Sequence, residues 1–143
     1  MENNELLRQY LDKAENYCAR SEHCAADVKR KLYEWKAPSE LTDDIIDHLY
    51  DLDFLNDERF CRAYVHDKVE YQSWGRQKIQ AGLRALQLPD RPIREAIDGI
   101  DEEVYAANLR KLVQQRLSDP EDKRLRFLLQ RGFTYEEIKS ATR

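Results

Sequence analysis

The sequence has few of the residues on which tight turns and β-sheets depend. Only four glycines and four prolines occur in 143 residues. No run alternates between apolar and polar residues with turn residues on either side, as a half-buried strand requires. Charged residues make up 36% of the chain and apolar residues 41%, which suits a helical protein with much solvent-exposed surface. These absences predict an all-α fold.

Cysteine and long apolar runs are also scarce. Cys18, Cys24 and Cys61 are an odd set without a C-x-x-C pair, so we expect reduced thiols that pack as small apolar side chains. No stretch approaches the roughly 18 apolar residues of a transmembrane helix. The polar residues 1–5 lack the apolar segment of a signal peptide. We therefore expect a cytoplasmic protein without membrane contact.

Motifs of catalysis and of cofactor binding are missing as well. The chain has no glycine-rich dinucleotide or P-loop motif and no His-Glu-x-x-His zinc motif. His23, His48 and His66 lie on different predicted helices and share no spacing that would suit a metal. We predict no catalytic, cofactor-binding or metal-binding residue, and hence a protein that is not an enzyme.

Charge is distributed unevenly along the chain. The net charge is −4, yet Ser39 to Glu58 holds eight acidic and no basic side chains. Arg59 to Arg94 then holds eight basic and three acidic ones. A partner would sense these opposite fields at a distance. The acidic residues of the third predicted helix lie away from its apolar stripe, so they form either a solvated face or an acidic docking surface: Asp43, Asp44, Asp47 and Asp51.

The basic residues after position 58 are candidates for contact with a partner or with DNA. Arginine outnumbers lysine among them, which favours bidentate binding of carboxylate or phosphate. Tyr64, Tyr71 and Trp74 lie between these charges and can stack on the bases of a single strand. For Phe60 and Trp74 we favour a place in the buried core instead. The candidates are Arg59, Arg62, Lys68, Arg76, Lys78, Arg84, Arg91, Arg94, Arg110, Lys111, Lys123, Arg124, Arg126 and Arg131.

Apolar residues recur at intervals of three and four, as in amphipathic helices. Three apolar pairs, each five positions apart, repeat at offsets of 47 and 45 residues in the arrangement of a hydrophobic staple: Leu41 and Ile46, Leu88 and Ile93, Phe133 and Ile138. We predict helix N-caps at Ser21, Thr42 and Thr134. Glu137 would complete a capping box with Thr134.

A period near 45 residues with three short helices predicts three tandem three-helix repeats, 5–56, 57–100 and 101–142. Each repeat is too small to bury its own apolar face. Neighbouring repeats would therefore stack into an elongated, curved, solenoid-like array. One compact helical bundle is the alternative.

Three blocks carry a family resemblance. They are Leu55-Asn56-Asp57-Glu58-Arg59-Phe60-Cys61-Arg62-Ala63-Tyr64-Val65, then Trp74-Gly75-Arg76-Gln77-Lys78-Ile79 with Leu83, and Arg131-Gly132-Phe133-Thr134-Tyr135-Glu136-Glu137-Ile138. Together they resemble the signature of the RecX family of bacterial recombination regulators over essentially the whole chain. The first two repeats depart from that pattern, because the glycine that often ends the second helix is replaced by Glu34-Trp35-Lys36 and Leu86-Gln87.

The resemblance implies three helical repeats and a non-enzymatic inhibitor of the RecA recombinase, and we expect a monomer. RecX-like proteins lodge in the groove of the RecA–DNA filament and restrain strand exchange, ATP hydrolysis and the co-protease function, which places them in recombinational DNA repair and the SOS response. Two alternatives stay open. One is a RecA-independent protein that binds single- or double-stranded DNA through helix-turn-helix-like units, and the other is a general helical scaffold. Arg59 is also a candidate for a structural ion pair with Asp53 or Asp57.

Overall fold

A computed structural model of the protein describes the backbone of residues 2–142 and the side chains of residues 4–142. All regular secondary structure in that range is helical, which confirms the all-α prediction. The α-helices are α1 (Glu2–Arg20), α2 (Ala25–Glu34), α3 (Thr42–Asp51), α4 (Asp57–Glu70), α5 (Arg76–Ala85), α6 (Asp90–Asp98), α7 (Glu102–Gln115), α8 (Glu121–Gln130) and α9 (Tyr135–Ala141), with a short 3-10 helix at Ser39–Leu41.

The chain forms two compact units, Met1–Phe60 and Cys61–Arg143, and the division falls within α4. The first unit holds α1 to α3, and the second holds α5 to α9 with most of α4. The finer division into repeats 5–56, 57–100 and 101–142 stays a prediction.

The first unit buries one apolar stripe from each of its helices. Residues at intervals of three and four meet in one core, as the periodicity of an amphipathic helix requires. The core consists of Leu11, Ala14, Cys18, Val28, Leu32, Leu41, Ile45, Ile46, Leu49 and Leu55. Cys18 is one of three buried, reduced cysteines, as predicted, and burial raises its pKa to about 11. Its thiol is therefore neutral and packs as an apolar group at ordinary pH.

The second unit has its own apolar core. Ile79 and Leu83 of α5 and Leu128 of α8 are fully buried there. The three apolar pairs of the sequence pattern are buried in both units: Leu41 and Ile46, Leu88 and Ile93, Phe133 and Ile138. The five-residue spacing therefore marks core positions at the start of α3, α6 and α9.

Two of the three predicted N-caps are wrong. The N-cap of α2 is Cys24 and not Ser21, and the Cys24 N–H donates to the Asp27 carboxylate at 3.2 Å. Thr42 is the first residue of α3 and not its cap, since the 3-10 turn that follows Pro38 runs directly into the helix. A serine or threonine before an apolar stripe does not reveal such a turn.

The third predicted cap is confirmed. The Thr134 hydroxyl accepts a hydrogen bond from the Glu137 N–H at 3.1 Å, and the Glu137 carboxylate accepts one from the Thr134 N–H at 2.8 Å. This reciprocal capping box satisfies two N–H groups that the first turn of α9 would otherwise leave unpaired.

A residue with left-handed backbone follows α2, α5 and α8. Its φ is 62° at Lys36, 65° at Gln87 and 104° at Gly132. In each case the next N–H bonds the carbonyl five residues earlier, for example Ala37 N–H to the Leu32 carbonyl at 2.9 Å. This is the Schellman motif that ends many helices. Lys36 and Gln87 therefore adopt the conformation that glycine favours, although neither is glycine.

Candidate functional site

Arg59 stands at the start of α4 and is held by three acceptor groups of two residues within the first unit. Its guanidinium donates to Glu22 at 2.5 Å, to the Asp53 carboxylate at 3.0 Å and to the Asp53 carbonyl at 2.9 Å. The hydrogen bond with Glu22 is the main cause of the raised pKa of Arg59. The predicted pairing with Asp53 is confirmed, and the bonds tie α4 to the loop before it.

Arg76 plays a corresponding part in the second unit. Its guanidinium donates to Glu102 at 2.5 Å and to Glu137 at 3.3 Å, and it lies 4.0 Å from the centre of the Tyr105 ring. The Arg76 N–H also donates to the Tyr105 hydroxyl at 3.0 Å. Burial raises the pKa of Tyr105 to about 12. Arg76 thus joins the starts of α5, α7 and α9.

Gly75 and Gly132 bring two of the signature blocks together. The Gly75 N–H donates to the Arg131 carbonyl at 2.8 Å, and the Gln77 N–H donates to the Gly132 carbonyl at 3.1 Å. A Cβ at Gly75 would lie 2.2 Å from the Gly132 carbonyl carbon. Because no side chain fits between these backbones, both blocks serve the packing of the second unit.

Most of the aromatic residues between the basic candidates already pack against other residues of the protein. Trp74 is half-buried, with the ammonium groups of Lys68 and Lys78 at 4.4 and 4.3 Å from its ring centre. The Tyr64 hydroxyl lies against Gly82, where a Cβ would come within 2.1 Å of it. Tyr71 is 75% exposed and is the ring that a partner can reach most easily. Phe60 is a buried core residue, as one of the two interpretations predicts.

Several other candidates have partners of their own on the surface. Arg84 lies 3.8 Å from Asp90, Arg91 3.0 Å from Glu95, and Arg126 4.0 Å from Asp122. Exposed pairs of this kind contribute at most about 1 kcal/mol and exchange easily for other anions. Arg124 and Arg131 donate to main-chain carbonyls, those of Asp119 and Gln72.

Five candidates are exposed and have no ion pair within the part of the chain whose side chains are described. They belong to α4, α6, α7 and α8: Arg62, Arg94, Arg110, Lys111 and Lys123. Their charges make no visible contribution to the fold. They are therefore the best candidates for contact with an external anion.

An apolar cleft lies beside one of these cations. Helices α4, α6 and α7 enclose about 320 Å³ there, and Arg62 is part of the lining. The apolar side chains of the lining are Val65, Val69, Ala96, Ile100 and Val104, and the ionisable ones are Arg62, His66, Glu70, Glu95 and Asp101. The sequence pattern did not indicate this cleft, since Val65 and Val69 look like ordinary core positions.

A second cavity, of about 570 Å³, brings Arg76 and Arg110 together at α5, α7 and α9. Glu102, Glu136 and Glu137 share its lining, so its charge is mixed. Apart from Arg62 at the apolar cleft, no other basic candidate belongs to the lining of either of these two cavities. The predicted residues are therefore spread over several surfaces, not gathered in one site.

The acidic helix face is exposed, which both interpretations, a solvated face and an acidic docking surface, predict. Asp43, Asp44, Asp47 and Asp51 all lie on the surface of α3. The histidines have separate local partners, with Asp27 at 3.3 Å from His23 and Glu15 at 3.3 Å from His48. Among the described side chains, no group of three or more His, Cys, Asp or Glu residues is placed to hold a metal. None of the described helices is long and apolar enough to span a membrane.

Comparison with known proteins gives consistent results. The family described as "RecX, second three-helix domain" matches residues 56–97. A regulatory protein RecX from Pseudomonas entomophila is 31% identical over 131 residues, which cover 84% of this chain and 81% of that protein. A regulatory protein RecX from Chlorobaculum tepidum is 28% identical over 137 residues, which cover 93% of this chain and 86% of that protein. Clostridial relatives are longer, and the chain spans 50% of the one from Clostridium botulinum.

The fold is also that of a solved structure. The crystal structure of RecX from Lactobacillus salivarius matches with a TM-score of 0.80, over 97% of this chain and 96% of the other. The two sequences are 21% identical, so the likeness is one of fold.

Proposed function

This chain belongs to the RecX family of regulatory proteins, and we propose that it inhibits the RecA recombinase by binding in the groove of the RecA–DNA filament. The protein acts without catalysis, as a cytoplasmic monomer that makes no membrane contact. Its role lies in recombinational DNA repair and the SOS response.

The observation that supports this proposal most is the set of five exposed cations without an internal ion pair, Arg62 among them. Arginine binds carboxylates and phosphates in a bidentate geometry, and a RecA–DNA filament offers both kinds of anion. Arg62 also lies at an apolar cleft. Apolar contact beside charge is the usual composition of a protein-binding surface.

Arg59 and Arg76 have a different role in this proposal. Both are engaged by carboxylates of their own unit. Their loss would loosen the fold, so a weakened effect on RecA would have an indirect cause. Binding is therefore tested on the unpaired cations.

The test is the ATPase activity of RecA on single-stranded DNA, measured while the purified protein is added. We expect the rate to fall at ratios near one protein per RecA subunit or lower. A rate that stays constant over that range would reject the proposal. Co-sedimentation with RecA–DNA filaments measures binding directly and should show the protein in the filament pellet.

A second candidate function is binding of nucleic acid without RecA, and the arginine-rich set supports it as well. Each phosphate contact would then contribute about −0.7 to the slope of log K against log salt on a single strand. A protein that binds RecA filaments but no free DNA at low salt would exclude this candidate. Capture of another protein in the absence of RecA would favour the scaffold interpretation.

A further inference from the structure

The first unit has a concave site of its own, apart from the cavities of the second unit. Helices α1 and α2 and the C-cap of α2 enclose about 290 Å³, close to the volume of small-ligand pockets. Its lining consists of Lys13, Asn16, Tyr17, Arg20, Lys31 and Trp35. Three of these six side chains are cations, one is an amide and two are aromatic. No carboxylate belongs to the lining.

The cations of this pocket are only partly neutralised. Lys13 and Arg20 have no ion pair among the described side chains, and Lys31 lies 3.4 Å from Glu34, which stands outside the lining. The pocket lies near the C-terminal turns of α1 and α2, whose partial charges are each about −0.5. With Lys31 paired to Glu34, the charges of Lys13 and Arg20 still exceed that opposing field, so the site attracts anions.

The aromatic rings hold two of these ammonium groups in place. Lys13 Nζ lies 4.8 Å from the Trp35 ring centre, and Lys31 Nζ lies 5.6 Å from that of Tyr17. Tyr17 is itself fixed by stacking on His23, with ring centres 3.7 Å apart. Both ammonium groups therefore already lie at the pocket, within reach of an anion that enters it.

We propose that this basic aromatic pocket on the first unit binds a phosphate group and the adjoining base of a single-stranded nucleic acid. A base stacked on an aromatic side chain is held more tightly than a cation over an exposed ring. A nucleotide can therefore displace Lys13 from the Trp35 ring, and the freed ammonium group pairs with the phosphate.

A single strand fits this site better than a duplex. The pocket is concave and has room for about one nucleotide. A flexible strand can turn one phosphate and its base into such a space, whereas the bases of a duplex are stacked on one another. Aromatic rings beside a positively charged groove are typical of proteins that bind single strands.

The test uses the fluorescence of Trp35 in the whole 143-residue chain. The sequence has two tryptophans, so Trp74→Phe leaves Trp35 as the only reporter. An oligonucleotide of deoxythymidine is added in the absence of RecA, and circular dichroism checks the fold of each variant. Because RecA is absent, failure of this test is separate from failure of the proposed RecA inhibition.

We expect saturable quenching of Trp35, with a slope of log K against log salt of about −2 for three cations. The double variant Lys13→Gln with Arg20→Gln should bind at least tenfold more weakly and lower the slope to about −0.7. The control, Arg8→Gln with Lys29→Gln, removes the same charge from exposed positions of the same helices outside the pocket. It should bind within about twofold of the parent protein.

Three outcomes would overturn the inference. One is no quenching at low salt, and another is equal weakening in the pocket variant and its control. The third is saturation by inorganic pyrophosphate or by duplex DNA at the same concentration as by the single strand, because the pocket would then recognise negative charge alone.

Discussion

The backbones of Gly75 and Gly132 lie against each other in the second unit. Two hydrogen bonds join the segments, and a Cβ added to Gly132 would stand 2.5 Å from the Lys78 Cβ. Gly132 also has a φ of 104°, which side chains rarely adopt. Glycine is therefore required at both positions by packing.

Gly75→Ala should destabilise the protein by about 3 kcal/mol, since the inserted methyl group meets backbone that has nowhere to move. Urea unfolding followed by circular dichroism measures the change. Gly99→Ala is the matched control, because the nearest atoms to its Cβ are 3.5 Å away and its φ is −80°. We expect the control to change stability by less than about 0.5 kcal/mol. Equal effects at both positions would contradict the packing account.

Lys36→Gly and Gln87→Gly should each stabilise the protein by about 1 kcal/mol. Both residues have left-handed backbone that costs a side-chain-bearing residue about 1–2 kcal/mol, and both side chains are exposed. The backbone strain that is relieved exceeds the stability that is lost because glycine gives the unfolded chain more conformational entropy. Lys29→Gly, inside α2, should have the opposite sign and cost about 1 kcal/mol. Thermal unfolding distinguishes a stabilising from a destabilising substitution. Destabilisation by Lys36→Gly and Gln87→Gly would refute this prediction.

The pair of Arg59 and Glu22 should couple by about 1–2 kcal/mol in a double-mutant cycle. Both side chains are about one-third exposed, and the second Glu22 oxygen is buried without a partner among the described residues. Removal of Arg59 thus leaves a partly buried charge. The variants are Arg59→Ala and Glu22→Gln.

The exposed pair of Arg84 and Asp90, 3.8 Å apart, provides the comparison. Its coupling should stay below about 0.5 kcal/mol. If the two double-mutant cycles gave the same coupling energy, Arg59 would have no special structural role.

Tyr105 should make the stability of the second unit fall at high pH. Its pKa is about 12 in the folded protein against 10.0 for the free side chain. As the pH rises, the unfolded chain loses this proton before the folded protein does. The contribution of Tyr105 to the free energy of unfolding is therefore complete below pH 10 and is lost as the pH rises towards 12. The full loss is about 2–3 kcal/mol.

Urea unfolding at pH 9, 10 and 11 measures this effect against Tyr105→Phe. The parent protein should lose more stability over that range than the variant, which lacks the ionisable hydroxyl group. Parallel curves would show that Tyr105 has an ordinary pKa in the folded state.

Local patterns in the sequence predicted the local features of the fold. The apolar spacing identifies the buried pairs, and Thr134 with Glu137 reveals a capping box because all its atoms lie within four residues. Ser21 and Thr42 fit the same rule, yet the chain uses Cys24 and a 3-10 turn at those places. The rule describes a preference, which the neighbouring turn overrides.

Contacts between distant residues could not be predicted in this way. Arg76 meets Glu102 and Glu137, 26 and 61 positions away, and no local pattern connects them. The basic aromatic pocket was missed because residues 1–38 hold seven basic and seven acidic side chains. A linear count sums these to zero, whereas the folded helices place three cations in one pocket without a carboxylate.

The RecA ATPase on single-stranded DNA tests the central claim most directly, with the parent protein compared to Arg62→Glu with Arg94→Glu. The control reverses two exposed charges of the first unit, Arg8→Glu with Lys29→Glu. Reversal of these two unpaired charges should reduce inhibition at least about fivefold, while the control inhibits like the parent protein. Equal inhibition by all three proteins, or none by the parent protein at any ratio, would contradict the account.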